Sequence, residues 1–275
     1  MNNPYLPQVA TIIDVRDEAP GERPIKTFKV VLENGNTLNH RPGQCAIIGI
    51  LGIGESMISI ASSPTRKDCL EFSIMRLGAV TSALHECEPG DTISLRGPYG
   101  NGFPLDEWKG KNIVTIGGGI GQAPLRPIVQ TVLDNRSDFG NLAVIYGARS
   151  SHDLCFKDEL FALEKDGAAS VHLSIDAEEP GWNKFVGFVP NNLLEIKPSP
   201  ENCIAITCGP VVMIKYVIKN LLELGFTDAQ IFTTMENRMK CGIGKCGRCN
   251  IGHIYVCKQG PVFTYEEIKK MPNEF

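Results

Sequence analysis

The sequence is short of charge, of aromatic rings and of long apolar runs. Charged residues occupy 21% of its 275 positions and aromatic ones 7%. No uninterrupted apolar stretch approaches the ~18 residues that a membrane helix needs, so no span is expected. The chain opens Met1-Asn2-Asn3-Pro4-Tyr5-Leu6-Pro7, with no basic segment leading into an apolar one, so a secretory leader is not expected either. Positive charge is in deficit, with 27 Lys and Arg against 31 Asp and Glu and a net charge of -4. Without a global basic field to hold a phosphate backbone, nucleic acid is excluded as the main partner. Internal repeats and low-complexity segments are absent. A cytoplasmic protein is the expectation. A hydrophobic fraction of 43% is enough for a buried core. At ~150 residues per domain, the length suits one large domain or two ordinary ones.

The first hundred residues have the texture of β structure. Val9–Ile13, Thr27–Leu32, Cys45–Ile50, Met57–Ala61, Leu70–Met75 and Asp91–Leu95 are short apolar or β-branched runs. Gly, Pro and Asn turns separate them, as at Asn34-Gly35-Asn36. A small barrel or sandwich is predicted, the antiparallel barrel being the reading adopted, with one short helix over Thr81–Glu86. The texture changes near Trp108. Apolar strands at Asn112–Ile116, Asn141–Tyr146, Ser170–Ile175, Cys203–Thr207 and Ile231–Thr233 alternate with helical patterns at Pro124–Leu133, Phe156–Lys165 and Val211–Leu224. That alternation predicts a parallel α/β sheet. The expected division is a barrel over 1–104, an α/β domain over 105–235 and a small C-terminal segment over 236–275.

The last segment lacks apolar periodicity and cannot build a core of its own, so a metal staple is expected. It holds four of the ten cysteines, as Cys241-x4-Cys246-x2-Cys249-x7-Cys257. This is the plant-type spacing of a [2Fe–2S] cluster. Gly242, Gly244 and Gly247 let the loop bend and aim N–H groups at sulfur. Arg238, Lys240, Lys245, Arg248 and Lys258 would offset the cluster's negative charge. The alternatives are structural zinc, which more often uses two separated C-x2-C pairs, and unligated thiols. The scattered Cys45, Cys69, Cys87, Cys155 and Cys203 carry no pattern. His40, His85, His152, His172 and His253 are isolated and read as surface or internally satisfied residues.

A second motif is Gly117-Gly118-Gly119-Ile120-Gly121-Gln122-Ala123-Pro124, which follows a strand and opens a helix. A pyrophosphate can sit at such a helix start. The run departs from the G-x-G-x-x-G dinucleotide fingerprint, and a tight turn without a ligand is the plain alternative. Cys208-Gly209-Pro210, with Met213 in the following helical turn, ends a later strand. Both motifs would lie at the carboxyl edge of the sheet, with Arg149 and Asp176 just past two other strands. Arg149 suits a ribose phosphate and Asp176 a ribose hydroxyl; taken singly, each reads as a solvated charge.

In this order the pieces resemble the ferredoxin–NAD(P)+ reductase superfamily over nearly the whole chain. Met57–Ser63 is similar to its flavin strand, Arg96-Gly97-Pro98-Tyr99-Gly100 to the end of its barrel, Gly117–Pro124 to its nicotinamide turn, and Cys208–Met213 to its C-G-P-x-x-M turn. The cysteine tail is similar to that of the electron-transfer subunits of dihydroorotate dehydrogenase, anaerobic sulfite reductase (B type) and cytosolic NiFe hydrogenase (gamma). The segments Leu95–Pro104 and Met239–Cys257, and the opening Asn3–Pro7, resemble the hydrogenase type most.

The resemblance implies FAD on the barrel, NAD(P)H on the α/β domain and a [2Fe–2S] cluster held by Cys241, Cys246, Cys249 and Cys257. Ser56, Met57, Ile58 and Ser59, with Ile74 and Met75, would face the flavin, Ser59 bonding the ring edge. Arg76, Gly78, Ala79, Val80 and Thr81 would hold its pyrophosphate. Gly117–Gly121, Gln122, Ala123, Arg149, Asp176, Cys208, Gly209, Pro210 and Met213 would hold the nicotinamide nucleotide, Cys208 lining the hydride path. Where the family has R-x-Y-S, this chain has Ser56 and Ile58 in the Arg and Tyr places. A flavin accepts two electrons and releases them singly, so the three cofactors would form a relay from NAD(P)H to a partner redox subunit. A self-contained reductase acting on free ferredoxin is the second reading. A non-enzymatic binding module with a zinc knob is the third.

Overall fold

The computed structural model describes residues 3–33, 35 and 37–272. They form two compact units. The first contains the chain up to Phe103 together with Met235–Val262; the second contains Pro104–Thr234 and the chain from Phe263 onward.

The first unit is built on β1 (Gln8–Ala19), β2 (Ile25–Leu32), β3 (Cys45–Ile50), β4 (Gly54–Ser59), β5 (Leu70–Met75) and β6 (Thr92–Tyr99), with helix α1 (Ala79–His85). The strands form one antiparallel sheet in the order β4-β3-β6-β1-β2-β5. Its two edge strands, β4 and β5, come back into contact, and this curls the sheet into the expected barrel. Alternation explains the core. Ala10 and Ile12, Phe28, Val30 and Leu32, Leu70, Phe72 and Ile74, and Ile93 and Leu95 all point to one buried cluster. Strand β3 is buried at five successive positions, whereas Ser56–Ser59 of β4 remain half-buried.

The second unit contains β7 (Asn112–Gly118), α2 (Gln122–Asp134), β8 (Leu142–Ala148), α3 (Lys157–Lys165), β9 (Ser170–Ile175), β10 (Phe185–Val186), α4 (Val189–Ile196), β11 (Cys203–Cys208), α5 (Val211–Glu223) and β12 (Ile231–Thr234). In the tail follow β13 (Asn250–Ile251), β14 (Ile254–Tyr255), α6 (Val256–Gln259), β15 (Val262–Thr264) and α7 (Tyr265–Ile268). The second sheet runs β10-β9-β8-β7-β11-β12-β15, parallel from β10 to β12. Strand order therefore reverses between β7 and β11, the place where open α/β sheets receive ligands. Helix α4 was not foreseen; it is short, and Pro190 in its first turn marks its start. Among the described residues, no helix is long and apolar enough to cross a membrane.

Two histidines are internally satisfied, as expected. His40 Nε2 donates to the Ser62 carbonyl at 2.9 Å and His85 Nε2 to the Ile74 carbonyl at 2.8 Å, and both rings are buried. Burial lowers both imidazoles below the ordinary 6.5, against the opposing pull of those carbonyls. The unfolded chain then binds more protons than the native one, so this stability is complete above the unfolded pKa and is lost as pH falls through the folded one. The denaturation midpoint should be flat near pH ~7.5 and fall by about pH 5.5. The slope should shrink in His85→Gln, measured by denaturant titration at each pH.

Candidate functional site

Strands β7 and β11 end level with each other. Gly117 pairs with Cys208 in register, so the glycine turn and the Cys-Gly-Pro turn meet at the reversal point of the second sheet. Gly119–Gly121 form one 3-10 turn that leads into α2. Gly119 has φ +55, and a Cβ there would meet nothing within 4 Å. At Gly121 the restriction is space rather than angle. An added Cβ would lie 2.6 Å from the Cys208 carbonyl carbon and 2.7 Å from Gly209 Cα. Gly118 lies against the Met213 thioether in the same way. Tyr146, fully buried on β8, donates to the Gly119 carbonyl at 3.0 Å and accepts from the Cys155 N–H at 2.9 Å. That hydroxyl fixes the turn, and nothing in the sequence singled it out.

The polar groups at this edge suit a polar ligand. Gln122 is 1% exposed, and among the described residues its Oε1 has no hydrogen-bond partner. Cys208 Sγ and Thr234 Oγ1 lie 2.9 Å apart. Arg149 and Asp176 follow β8 and β9 and are neighbours, the Asp176 N–H donating to the Arg149 carbonyl at 3.3 Å. Partial burial raises the Asp176 carboxyl above its ordinary value; Arg149 opposes this and Asp153 adds to it.

In the first unit the flavin residues expected from sequence gather where β4, β5 and α1 come into contact. Ser56–Ser59 lie along β4, Ile74 and Met75 end β5, and Gly78 precedes α1. The Thr81 hydroxyl accepts from the N–H groups of Leu77 and Gly78, each at 2.9 Å. Arg76 pairs with Glu86 at 3.2 Å. Ser59 faces Cys45 across the β3–β4 ladder, with 3.8 Å between hydroxyl and thiol.

The cysteine loop belongs to this unit too. Cys246 bears on the Cys241 thiol, and both Cys249 and Cys241 bear on the Cys257 thiol. Backbone donors point at them: Lys245 and Cys246 N–H at 3.3 and 3.4 Å from Cys241 Sγ, and Gly244 N–H at 3.2 Å from Cys257 Sγ. Burial pushes the Cys241 thiol up, but the N–H groups of Ile243, Cys246 and Lys245 outweigh it and bring it to about 6. Cys257, buried and beside the Cys249 thiol, is pushed up to about 12. Only Cys246 of the four is exposed. Four thiols with backbone N–H groups aimed at their sulfurs suit the ligand chemistry of an iron–sulfur centre. Underneath, Gly242 rests on the Tyr99 ring, 2.8 Å from where a Cβ would be. Arg96, Glu55 and Tyr99, which hold this loop, were not anticipated as site residues.

Residues 115–219 match the family of oxidoreductase NAD-binding domains, and 236–269 match the iron–sulfur cluster binding domain of dihydroorotate dehydrogenase B. The chain is 44% identical to the sulfhydrogenase 1 gamma subunit of Pyrococcus furiosus over 239 residues, covering 84% of this chain and 82% of that one. It is 39% identical to the sulfhydrogenase 2 gamma subunit of the same organism, covering 96% of each. Against a probable dihydroorotate dehydrogenase B electron-transfer subunit of Methanocaldococcus jannaschii, identity is 31%, over 96% of this chain and 91% of that one. In fold it is similar to an NADH-dependent reduced ferredoxin–NADP oxidoreductase, with a TM-score of 0.74 and 24% identity over 97% of this chain and 91% of that one.

Gly121→Ala should push the two turns apart and lower kcat/KM for NAD(P)H by on the order of 100-fold. Gly119→Ala, which meets open space, should cost only about 1 kcal/mol of backbone strain in a denaturant titration.

Proposed function

The chain belongs to the family of sulfhydrogenase gamma and dihydroorotate dehydrogenase B electron-transfer subunits, and from that premise we propose that it passes electrons between NAD(P)H and a partner redox subunit through FAD and a [2Fe–2S] cluster. Residues 1–104 hold the flavin, 105–235 the nicotinamide nucleotide and 236–275 the cluster. When bound, the flavin takes the two electrons of a hydride and releases them singly, and the cluster carries one at a time.

The chain's own residues prepare each site. Gly118 and Gly121 bring the two turns within reach of one ligand, and Gln122 keeps an unpaired acceptor beside them. Cys208, held near the Thr234 hydroxyl, lines that edge. Arg149 and Asp176 flank it on the ribose side. Along β4, Ser59 offers a hydroxyl to the flavin ring edge, and Arg76 with Gly78, Ala79, Val80 and Thr81 receives the pyrophosphate. Cys241, Cys246, Cys249 and Cys257 hold the two irons, with backbone N–H groups stabilising sulfur charge.

The observation that carries this reading is the set of backbone N–H groups aimed at Cys241 Sγ and Cys257 Sγ, within the compact unit that contains β4. Exposed Cys246 marks the exit. Arg238, Lys240, Lys245, Arg248 and Lys258, close to it in sequence, are exposed too, and in this reading they give the partner a basic rim. In this reading the terminal reaction belongs to the partner.

An anaerobic visible spectrum tests the proposal. Flavin bands with a broad iron–sulfur shoulder, both bleaching on addition of NADH or NADPH, are expected; a colourless chain purified without oxygen would sink it. Cys249→Ser should remove the shoulder and leave the flavin bands.

A further inference from the structure

Arg96 sits on β6 behind the cysteine loop, and its side chain is 7% exposed. A guanidinium has five N–H donors, and here each has a partner. Nε and one Nη2 hydrogen grip the Glu55 carboxylate, at 2.9 and 2.7 Å. The other Nη2 hydrogen donates to the Lys240 carbonyl at 3.1 Å. The Nη1 hydrogens donate to the Cys241 carbonyl and the Tyr99 hydroxyl, both at 3.2 Å. Tyr99 in turn donates to the Pro4 carbonyl at 2.8 Å, and its ring lies under Gly242.

The strand order explains how this is possible. Glu55 is the second residue of β4 and Arg96 lies on β6, with β3 between them. Glu55 pairs across β3 with Gly49, and a Cβ at Gly49 would stand 3.0 Å from Glu55 Cγ and 2.6 Å from Ser94 Oγ. A glycine in mid-strand, which costs strand stability, leaves the carboxylate a path over β3 to the guanidinium. The Arg96 bonds to the loop go to backbone carbonyls, so they act on the loop whatever its side chains are.

We propose that Arg96, oriented by Glu55, is the positioning residue of the cluster: it fixes the Lys240–Cys241 backbone against β6 and sets the field at the Cys241 end of the site. This rests on the reading of Cys241 as a cluster ligand. Fixed donors and charges around ligating sulfur tune both the retention and the potential of a metal centre. The pair is asymmetric, because the cation is buried and bonded to the loop while the carboxylate is 43% exposed.

The test uses the full chain, purified anaerobically with its cofactors, and reads the cluster midpoint potential by electron paramagnetic resonance during redox titration. Arg96→Gln removes the positive charge and should shift the midpoint down. Glu55→Gln keeps an acceptor for Arg96 but removes the negative charge, and should shift the midpoint up. Opposite shifts are the signature of the field, since a role confined to holding the loop's shape would move both variants the same way. Iron loss to a chelator should be on the order of tenfold faster in Arg96→Gln. Arg96→Lys, with three donors on one nitrogen, should lose iron faster while its midpoint stays nearer the parent value. If Arg96→Gln does not fold, Arg96→Lys and Glu55→Gln still decide. Shifts of the same sign, or none, overturn the proposal while the cluster reading stands. A parent chain without any iron–sulfur signal overturns both.

Discussion

The cysteine loop has no apolar pattern from which to fold, and that one constraint shapes much of the first unit. Order must come from outside the loop. Part comes from sulfur itself, which accepts backbone N–H groups at Cys241 and Cys257. Part comes from the barrel, where the Tyr99 ring, the Arg96 fork and Asn101 all face the tail. Asn101 is bonded both ways to Val262, its side-chain amide donating to the carbonyl at 2.8 Å and its Oδ1 accepting the N–H at 3.1 Å. The strand that ends the barrel, β6, is therefore also the platform of the loop. Such a platform tolerates polar interior residues because each donor on it is matched.

The second unit meets a different demand, close approach of backbone to backbone. Its turns can touch only because side chains are missing at Gly118 and Gly121. A parallel sheet buried on both faces supplies the rigidity behind them, with Ile116, Ile145, Ala205 and Ile206 inaccessible to water. Rigid strands and side-chain-free turns together hold polar groups such as Gln122 Oε1 at a fixed place, which a flexible loop would not do.

Much of this was legible in the sequence because it rests on local signals. The apolar runs that become β2 and β5, the alternation of strand and helix after Trp108, and the glycine and cysteine spacings each declare themselves within a few residues or elements. The architecture follows from them, and so do the positions of Gly117 and Cys208 at one sheet edge. What escaped notice is non-local. Glu55, Arg96 and Lys240 are far apart in sequence, so neither the Glu55 grip on Arg96 nor the Arg96 bond to the Lys240 carbonyl shows in any local pattern. Tyr146 reads as one more strand aromatic until its hydroxyl is seen between Gly119 and Cys155. Helix α4 is too short for its periodicity to register.

The course of the chain through the two units has a consequence for dissection. After β12 the chain leaves the nucleotide-binding unit, builds the cysteine loop within the barrel unit, and returns at Phe263 to add β15 and α7 to the sheet it left. In the second unit Lys269 of the tail is ion-paired with Asp228. The cysteine loop is thus an insertion with a return, and not an appendage. A stop codon placed after β12 would not yield a simpler flavoprotein lacking only iron; it would also strip the outermost strand from the nucleotide sheet and bare the β12 edge.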